Sequence, residues 1–214
     1  MKSLFCWVLI TLSLATLAGA DTLDDVLDRY ATMSQGRVQF QLTPIQAGWK
    51  LNSTLVFRRP DRLHYWSEVG DEKVGKASTH VWLEKSQLWV WTSRLGQEAD
   101  APQNVYFSEP HEGGLLEGPV TASLGPANFI VLLLSGQRSF LELDPNKAKE
   151  VDLWTVDGDQ MVFDPATRLL KQVIAWSEGQ KMASASLEYS SEPVGEGELT
   201  FALPAGAKLY DPSK

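Results

Sequence analysis

Apolar and polar residues alternate through the middle of the chain, and turn-forming residues interrupt the alternation at intervals. Residues 53–93 show this most clearly, because they divide into four short segments rich in β-branched and aromatic side chains. Such segments predict antiparallel strands. In the last two, 81–83 and 88–91, both faces are apolar, which is unusual for a sheet with one face in water. We therefore expect a core on one face, and a helix, a partner or an apolar ligand on the other.

Two segments have patterns that are not those of a half-buried strand. Residues 21–35 carry an apolar stripe at helical spacing, which predicts a first helix that packs on the sheet and ends at Gly36. Residues 126–135 are almost entirely apolar and lie between Pro126 and Gly136, which favours a short buried helix over a buried strand. These two segments are therefore predicted to be helices.

The C-terminal third returns to short strands joined by turns. Residues 157–159 read Asp-Gly-Asp and resemble part of a calcium-binding loop, but a hairpin turn explains them better. A last strand is expected over 199–203. Before this third, residues 109–125 are rich in Gly and Pro and predict a long loop, of a kind that is usually functional or mobile. Together the patterns predict about ten or eleven antiparallel strands and two or three helices, which is an α+β fold.

The start of the chain has the form of a secretory signal peptide. Residues 1–20 contain a positive start, an apolar stretch and a small-residue cleavage site that ends at Ala20. A membrane anchor is the alternative, but the segment is short for one. We expect cleavage after Ala20, which leaves 21–214 as a single domain. Cys6 is the only cysteine and leaves with the signal, so we expect no disulfide and no lipid anchor. An exported chain of this size without disulfides indicates a bacterial periplasm.

Composition and motifs restrict the classes of function. The 214 residues are 43% hydrophobic and carry a net charge of −8 at pH 7, which argues against nucleic acid or anionic headgroups as main partners. The sequence has no Gly-rich phosphate loop, no G-x-S-x-G and no H-E-x-x-H. His64, His80 and His111 lie far apart in the sequence, so we expect no metal site and no cofactor. The sequence therefore argues against an enzyme, although a dispersed hydrolase site is the minor alternative.

Aromatic residues are concentrated in the predicted strands. Any one tryptophan is explained by a place in the core, but as a group they indicate a large apolar concavity, because tryptophan offers broad contact area at little entropic cost. An acyl chain entering such a cavity gains about 0.8 kcal/mol per buried methylene. The tryptophans beyond the leader are Trp49, Trp66, Trp82, Trp89, Trp91, Trp154 and Trp176.

Several short motifs follow one another in an informative order. Residues 57–63 contain an arginine-proline pair that closes one strand before the next. Residues 126–134 form the proline-led apolar segment, and 163–176 form a later hairpin with an Asp-Pro turn. Residues 201–207 read Phe-Ala-Leu-Pro-Ala-Gly-Ala at the end of the chain. In this order the motifs resemble those of the LolA/LolB lipoprotein-carrier superfamily, over nearly all of 21–214.

The resemblance implies a strongly curved antiparallel sheet, an incomplete β-barrel with helices covering its open mouth. In these carriers the arginine of the arginine-proline pair hydrogen-bonds the backbone of the lid and keeps the empty cavity closed. Arg59 is the matching position, and the alternative for it is a surface arginine at a strand end. The absence of any cysteine after Ala20 favours the soluble branch of the superfamily.

The implied function is that of a monomeric, non-catalytic periplasmic carrier that holds acyl chains of lipoproteins or lipids in an apolar cavity. Its implied protein partners are an inner-membrane release complex and an outer-membrane receptor. The alternative is a protein-interaction or sensor domain on the same fold, binding an exported partner through a sheet edge or the Gly-rich loop. The expected ligand-binding side chains are Trp49, Phe57, Tyr65, Trp82, Trp89, Trp91, Phe129 and Leu132.

Overall fold

The structure is a computed structural model, and it describes residues 23–45, 49–71, 75–84, 87–92, 104–108, 124–142, 152–203 and 209–210. The expected signal peptide, most of the Gly-rich loop and His111 lie outside these ranges. The strands are β1 (Gln35–Pro44), β2 (Lys50–Arg58), β3 (Arg62–Asp71), β4 (Gly75–Glu84), β5 (Gln87–Thr92), β6 (Asn104–Ser108), β7 (Leu141–Glu142), β8 (Asp152–Thr155), β9 (Gln160–Phe163), β10 (Leu170–Ser177), β11 (Gln180–Ser190) and β12 (Leu209–Tyr210). The helices are α1 (23–31), α2 (Ala127–Leu134) and α3 (Glu196–Leu199).

The strands form a single open sheet in the order β12-β6-β5-β4-β3-β2-β1-β11-β10-β9-β8-β7. Neighbouring strands are antiparallel, except that β12 pairs with β6 in parallel. This confirms the antiparallel sheet with few helices that the sequence predicts. Within the described residues the sheet has twelve strands rather than ten or eleven, because the two-residue strands β7 and β12 are too short to show a period.

Strand register separates the side chains into two faces. Val38, Leu55, Tyr65, Val81 and Val90 lie opposite one another across β1 to β5, and directly opposed residues share a face. Buried residues of both longer helices join this row in one hydrophobic cluster, so we call it the helix face. The helix members of the cluster are Leu23, Val26, Leu27 and Tyr30 of α1 and Ala127, Ile130, Val131, Leu133 and Leu134 of α2.

The opposite side, which we call the outer face, carries the intervening residues of the same strands. Val56, His64, Trp82 and Trp89 form one row across β2 to β5. Both faces of β4 and β5 are therefore apolar, as their sequence indicates. The described helices include none long and apolar enough to cross a membrane.

Two local predictions are confirmed. The apolar segment after Pro126 is the helix α2. The Asp-Gly-Asp segment joins β8 to β9 as a hairpin turn. In that turn the backbone N–H of Gly158 donates to the carbonyl of Thr155 at 2.9 Å, and Gly158 has a φ of 89°.

The prediction that the first helix runs to Gly36 was wrong. The helix ends at residue 31, and Gly36 lies inside β1, directly opposite Phe57 of β2. A Cβ on this glycine would lie 2.9 Å from two ring atoms of Phe57, so a glycine is required here by close approach and not by a helix end.

The last predicted strand, 199–203, was also wrong. Leu199 ends the single turn α3 and is completely buried against Val56 and Val194. Phe201 follows without strand pairing and contacts the outer face. The alternation of apolar residues in this segment reflects packing against a sheet face, which gives the same two-residue period as a strand.

Candidate functional site

The guanidinium of Arg59 joins the C-terminal ends of α1 and α2. Its Nη1 donates to the carbonyl of Ala31 at 2.8 Å, and its Nη2 donates to the carbonyl of Leu134 at 3.0 Å. Both acceptors belong to the last residue of a helix, where carbonyls lack partners within the helix and the dipole favours a cation. The backbone N–H of Arg59 also donates to the carbonyl of Ser34 at 2.8 Å. One side chain at the end of β2 therefore links two helices to the sheet.

A pair of tyrosines, Tyr30 fully buried and Tyr189 half-buried, also connects α1 to the sheet. The hydroxyls of Tyr30 and Tyr189 lie 2.5 Å apart, and the backbone N–H of Leu170 donates to the Tyr30 hydroxyl at 3.0 Å. Burial raises the pKa of Tyr30 to about 12 and raises the pKa of Tyr189 well above its ordinary value. Both phenols are therefore neutral at physiological pH and act as hydrogen-bonding groups.

The two helices differ in how polar contacts hold them. The first turn of α1 forms exposed ion pairs, Asp24 with Arg138 at 2.6 Å and Asp25 with Arg168 at 3.2 Å, and pairs of this kind contribute about 0–1 kcal/mol each. The helix α2 reads ANFIVLLL and has no charged side chain. Its position therefore depends on apolar packing and on the bond from Arg59.

A groove with a volume of about 170 Å³ lies between the N-terminal end of α2 and strands β1, β10 and β11. Apolar cavities of about 150 Å³ in other proteins hold one benzene molecule, so this groove has room for about six carbons of a chain. Small side chains on two strands give it depth. Its lining residues are Leu42, Gly125, Pro126, Phe129, Asp159, Val173, Ala175, Ala183, Ser184 and Ala185.

Only part of the predicted ligand-binding set lies on the helix face. Phe57 and Tyr65 are buried in the core cluster, and Phe129 packs against that cluster and lines the groove. Leu132 is half-buried on α2. Trp49 precedes β2 and is 37% exposed. The groove therefore contains one member of the predicted set.

The three strand tryptophans of the set form a separate cluster on the outer face. Trp82 and Trp91 are buried there, with Trp89 and Phe201 packed against them. The sequence shows that both faces of β4 and β5 are apolar, but not which face the helices cover. Sequence reasoning also missed the alanines of the groove, since small residues give a weak hydrophobic signal. Their recurrence at 183 and 185, between polar or exposed neighbours, is the pattern that could have revealed them.

The outer-face aromatic rings stack into what we call the aromatic block. The ring centroids of His64 and Trp82 are 4.3 Å apart at an interplanar angle of 12°, and those of Trp89 and Phe201 are 4.7 Å apart at 9°. The block consists of His64, Trp66, His80, Trp82, Trp89, Trp91 and Phe201.

The two histidines of the block are hydrogen-bonded in their neutral forms. The Nδ1–H of His64 donates to the carbonyl of Glu198 at 2.8 Å, which leaves Nε2 as the acceptor for His80 Nδ1–H at 3.2 Å. Burial lowers the pKa of each histidine to about 4. The block is therefore uncharged at pH 7.

Residues 192–201, which we call the strap, cross the outer face and carry α3. Glu196 pairs with both Arg58 and Arg62, and Arg37 pairs with Glu192 at 2.8 Å and with Glu198 at 2.5 Å. Arg58 also donates to a strap carbonyl, that of residue 194, at 2.6 Å. Three arginines of the sheet therefore hold this segment, and its apolar residues cover the outer face.

Comparison with known proteins adds no family to this picture: no family model matches the chain, and no curated protein matches it. Across the part of the chain that the structure describes, no group of three or more His, Cys, Asp or Glu side chains is placed to hold a metal ion. The functional argument therefore rests on the covered helix face, the groove and the aromatic block.

Proposed function

We propose that the protein is a periplasmic carrier or binding protein that holds an acyl chain of a lipoprotein or lipid against the helix face, without catalysis. The observation that carries the proposal is the bonding of Arg59 to the ends of both helices, above an apolar face with a groove beside α2. In this proposal α1 and α2 cover the open mouth of a strongly curved sheet. The resemblance of the sequence to the lipoprotein carriers points in the same direction.

The volume of the groove sets the length of acyl chain that the closed form holds. Burial gains about 0.8 kcal/mol per methylene, so about six carbons gain about 5 kcal/mol. A chain with about ten further methylenes gains about 8 kcal/mol more. Displacing α2 to admit it breaks the bond from Arg59 to the carbonyl of Leu134, which is worth at most about 3 kcal/mol. We therefore propose that longer chains displace α2 and that Arg59 controls this step.

The test is a titration of the purified exported protein with a fluorescent long-chain fatty-acid probe. We expect saturable binding. Replacing Arg59 by Leu removes bonds that stabilise only the closed, empty form, so we expect faster entry of the probe and tighter apparent binding. The matched control is Arg138→Leu, which removes an exposed arginine near α2 and should behave like the wild type. Absence of saturable binding, with Arg59→Leu indistinguishable from the wild type, would overturn the proposal.

A second candidate is a protein-interaction or sensor domain. It is favoured by one observation, the aromatic block, which lies under a strap held by ion pairs. Capture of partners from a periplasmic extract separates the two candidates. A single stoichiometric protein partner without acylated species would favour the interaction domain, and recovery of acylated species would favour the carrier.

A further inference from the structure

We propose that Asp159 makes the groove beside α2 select amphiphiles with a neutral or cationic headgroup over amphiphiles that end in a carboxylate. The inference rests on the proposed function, because it concerns the same groove. It goes further by naming the chemical class of ligand and the residue that determines the selection.

The charge of the groove is carried by one side chain. Among the lining residues that the structure describes, only Asp159 is charged. Ser184 lies between Ala183 and Ala185 on β11, so its side chain points to the outer face. The remaining lining residues are apolar or glycine. A headgroup seated at this groove therefore meets a carboxylate, and none of the described lining residues is a cation.

The position of Asp159 is fixed by the hairpin that contains it. Its backbone N–H donates to the hydroxyl of Thr155 at 3.0 Å, and its carbonyl accepts from the N–H of Thr155 at 2.8 Å. Thr155 is only 2% exposed. The backbone N–H of Trp176 also hydrogen-bonds the carboxylate. The negative group is therefore held at the groove and does not swing freely into solvent.

The surroundings of Asp159 disfavour a further negative charge. Partial burial, followed by the nearby charge of Asp157, raises the pKa of Asp159. A carboxylate headgroup placed beside it would add a like charge in a partly desolvated place, whereas an ammonium group would relieve the same repulsion.

The N-terminus of α2 lines the same groove and is the feature that would favour an anion. Its first amides are already occupied, however. The N–H of Ala127 donates to the carbonyl of Leu124 at 3.0 Å, and the N–H of Asn128 donates to the carbonyl of Gly125 at 3.1 Å. Pro126 has no N–H to offer. The helix terminus therefore does not offset the carboxylate of Asp159.

The experiment compares three ligands of equal chain length, dodecylamine, dodecanol and dodecanoate, as competitors of the fluorescent fatty-acid probe at pH 7. For the wild type we expect the amine and the alcohol to compete at concentrations about tenfold lower than the carboxylate, as for a single unfavourable charge contact. Asp159→Asn should bring the three ligands to within about threefold of one another. The matched control, Asp157→Asn, removes an exposed carboxylate that does not line the groove and should keep most of the wild-type selection.

A second variant keeps the inference testable if Asp159→Asn fails to fold. Ala183→Lys places a cation on the helix face of β11, among the lining residues, and should shift the preference toward dodecanoate. If the probe binds saturably but the wild type shows no preference, or if Asp159→Asn keeps the wild-type preference, the inference is wrong and the proposed function stands. If neither the probe nor any of the three ligands binds, the proposed function fails and the inference fails with it.

Discussion

Arg58 and Arg59 are consecutive residues, but they hydrogen-bond segments that pack on opposite faces of the sheet. Arg58 donates to the carbonyl of Val194 in the strap at 2.6 Å, while Arg59 donates to the carbonyl of Leu134 at the end of α2 at 3.0 Å. The arrangement arises because successive side chains at the end of a strand point to opposite sides. The strap and the helices are thus attached to adjacent points of β2, although they cover different clusters.

The first prediction is that the two arginines act separately. Arg58→Leu removes a bond and an ion pair of the strap, so we expect the outer-face tryptophans to become more accessible to acrylamide quenching. Arg59→Leu should leave the quenching unchanged and instead increase hydrogen exchange at the C-terminal ends of α1 and α2. Each variant is the control for the other. Equal effects of both variants on both measurements would contradict separate attachment.

The sequence predicts much of this architecture because β4 and β5 are apolar on both faces, which requires two covers. It also predicts α2, since Pro126 and Gly136 bracket an apolar run of helical length. What it cannot supply is the assignment of faces: Val81 and Trp82 are equally apolar, and only the register and the chain path decide which of them meets the helices. The sequence therefore assigns Trp82, Trp89 and Trp91 to the ligand site, whereas in the structure they lie beneath the strap.

The sequence pattern does not reveal the strap or the groove, for two different physical reasons. Leu199 and Phe201 alternate with polar residues, so their packing on a sheet face is indistinguishable in sequence from a strand. Ala183 and Ala185 contribute little hydrophobicity, although their small size is what leaves room beside α2. The resemblance to the lipoprotein carriers points to Arg59. No sequence pattern indicates its neighbour Arg58, although Arg58 is hydrogen-bonded as strongly.

A second prediction concerns the buried tyrosines. Tyr30→Phe leaves the N–H of Leu170 and the hydroxyl of Tyr189 without their partner in a buried place, and this should lower the free energy of unfolding by about 1–3 kcal/mol. Tyr189→Phe keeps the bond between Tyr30 and Leu170, so its cost should be smaller. Urea denaturation of the two variants checks the order. A larger loss for Tyr189→Phe would show that the hydroxyl of Tyr30 is not the central acceptor.

A third prediction concerns the contact between Gly36 and Phe57. Gly36→Ala places a Cβ 2.9 Å from the phenylalanine ring, and overpacking of this kind should destabilise the protein by about 1–3 kcal/mol. Combining it with Phe57→Leu should cost less than the sum of the two single changes, because the smaller side chain relieves the clash. Additive losses in a double-mutant cycle of thermal unfolding would contradict the steric explanation.

Two histidines and one glutamate on the outer face destabilise the folded protein when they are protonated. Burial lowers the pKa of His64 and His80 to about 4, and the unfolded value is about 6.5. Hydrogen bonds from Arg62 and Arg58 lower the pKa of Glu196. In all three groups the deprotonated form is favoured in the folded state. Their stabilisation is therefore complete above the unfolded pKa and is lost as the pH falls through the folded pKa.

The fourth prediction follows from the order in which these groups take up protons as the pH falls. The free energy of unfolding should begin to fall below about pH 6.5 as the histidines of the unfolded chain take up protons, and should fall further below about pH 4.5 as Glu196 of the unfolded chain takes up a proton. His80→Phe keeps an aromatic ring beside Trp82 but removes one titrating group, so its stability should decline less between pH 6.5 and 4 than that of the wild type. Urea midpoints measured at intervals across this range check the difference. A slope for His80→Phe equal to that of the wild type would show that the aromatic block is not the source of the acid sensitivity.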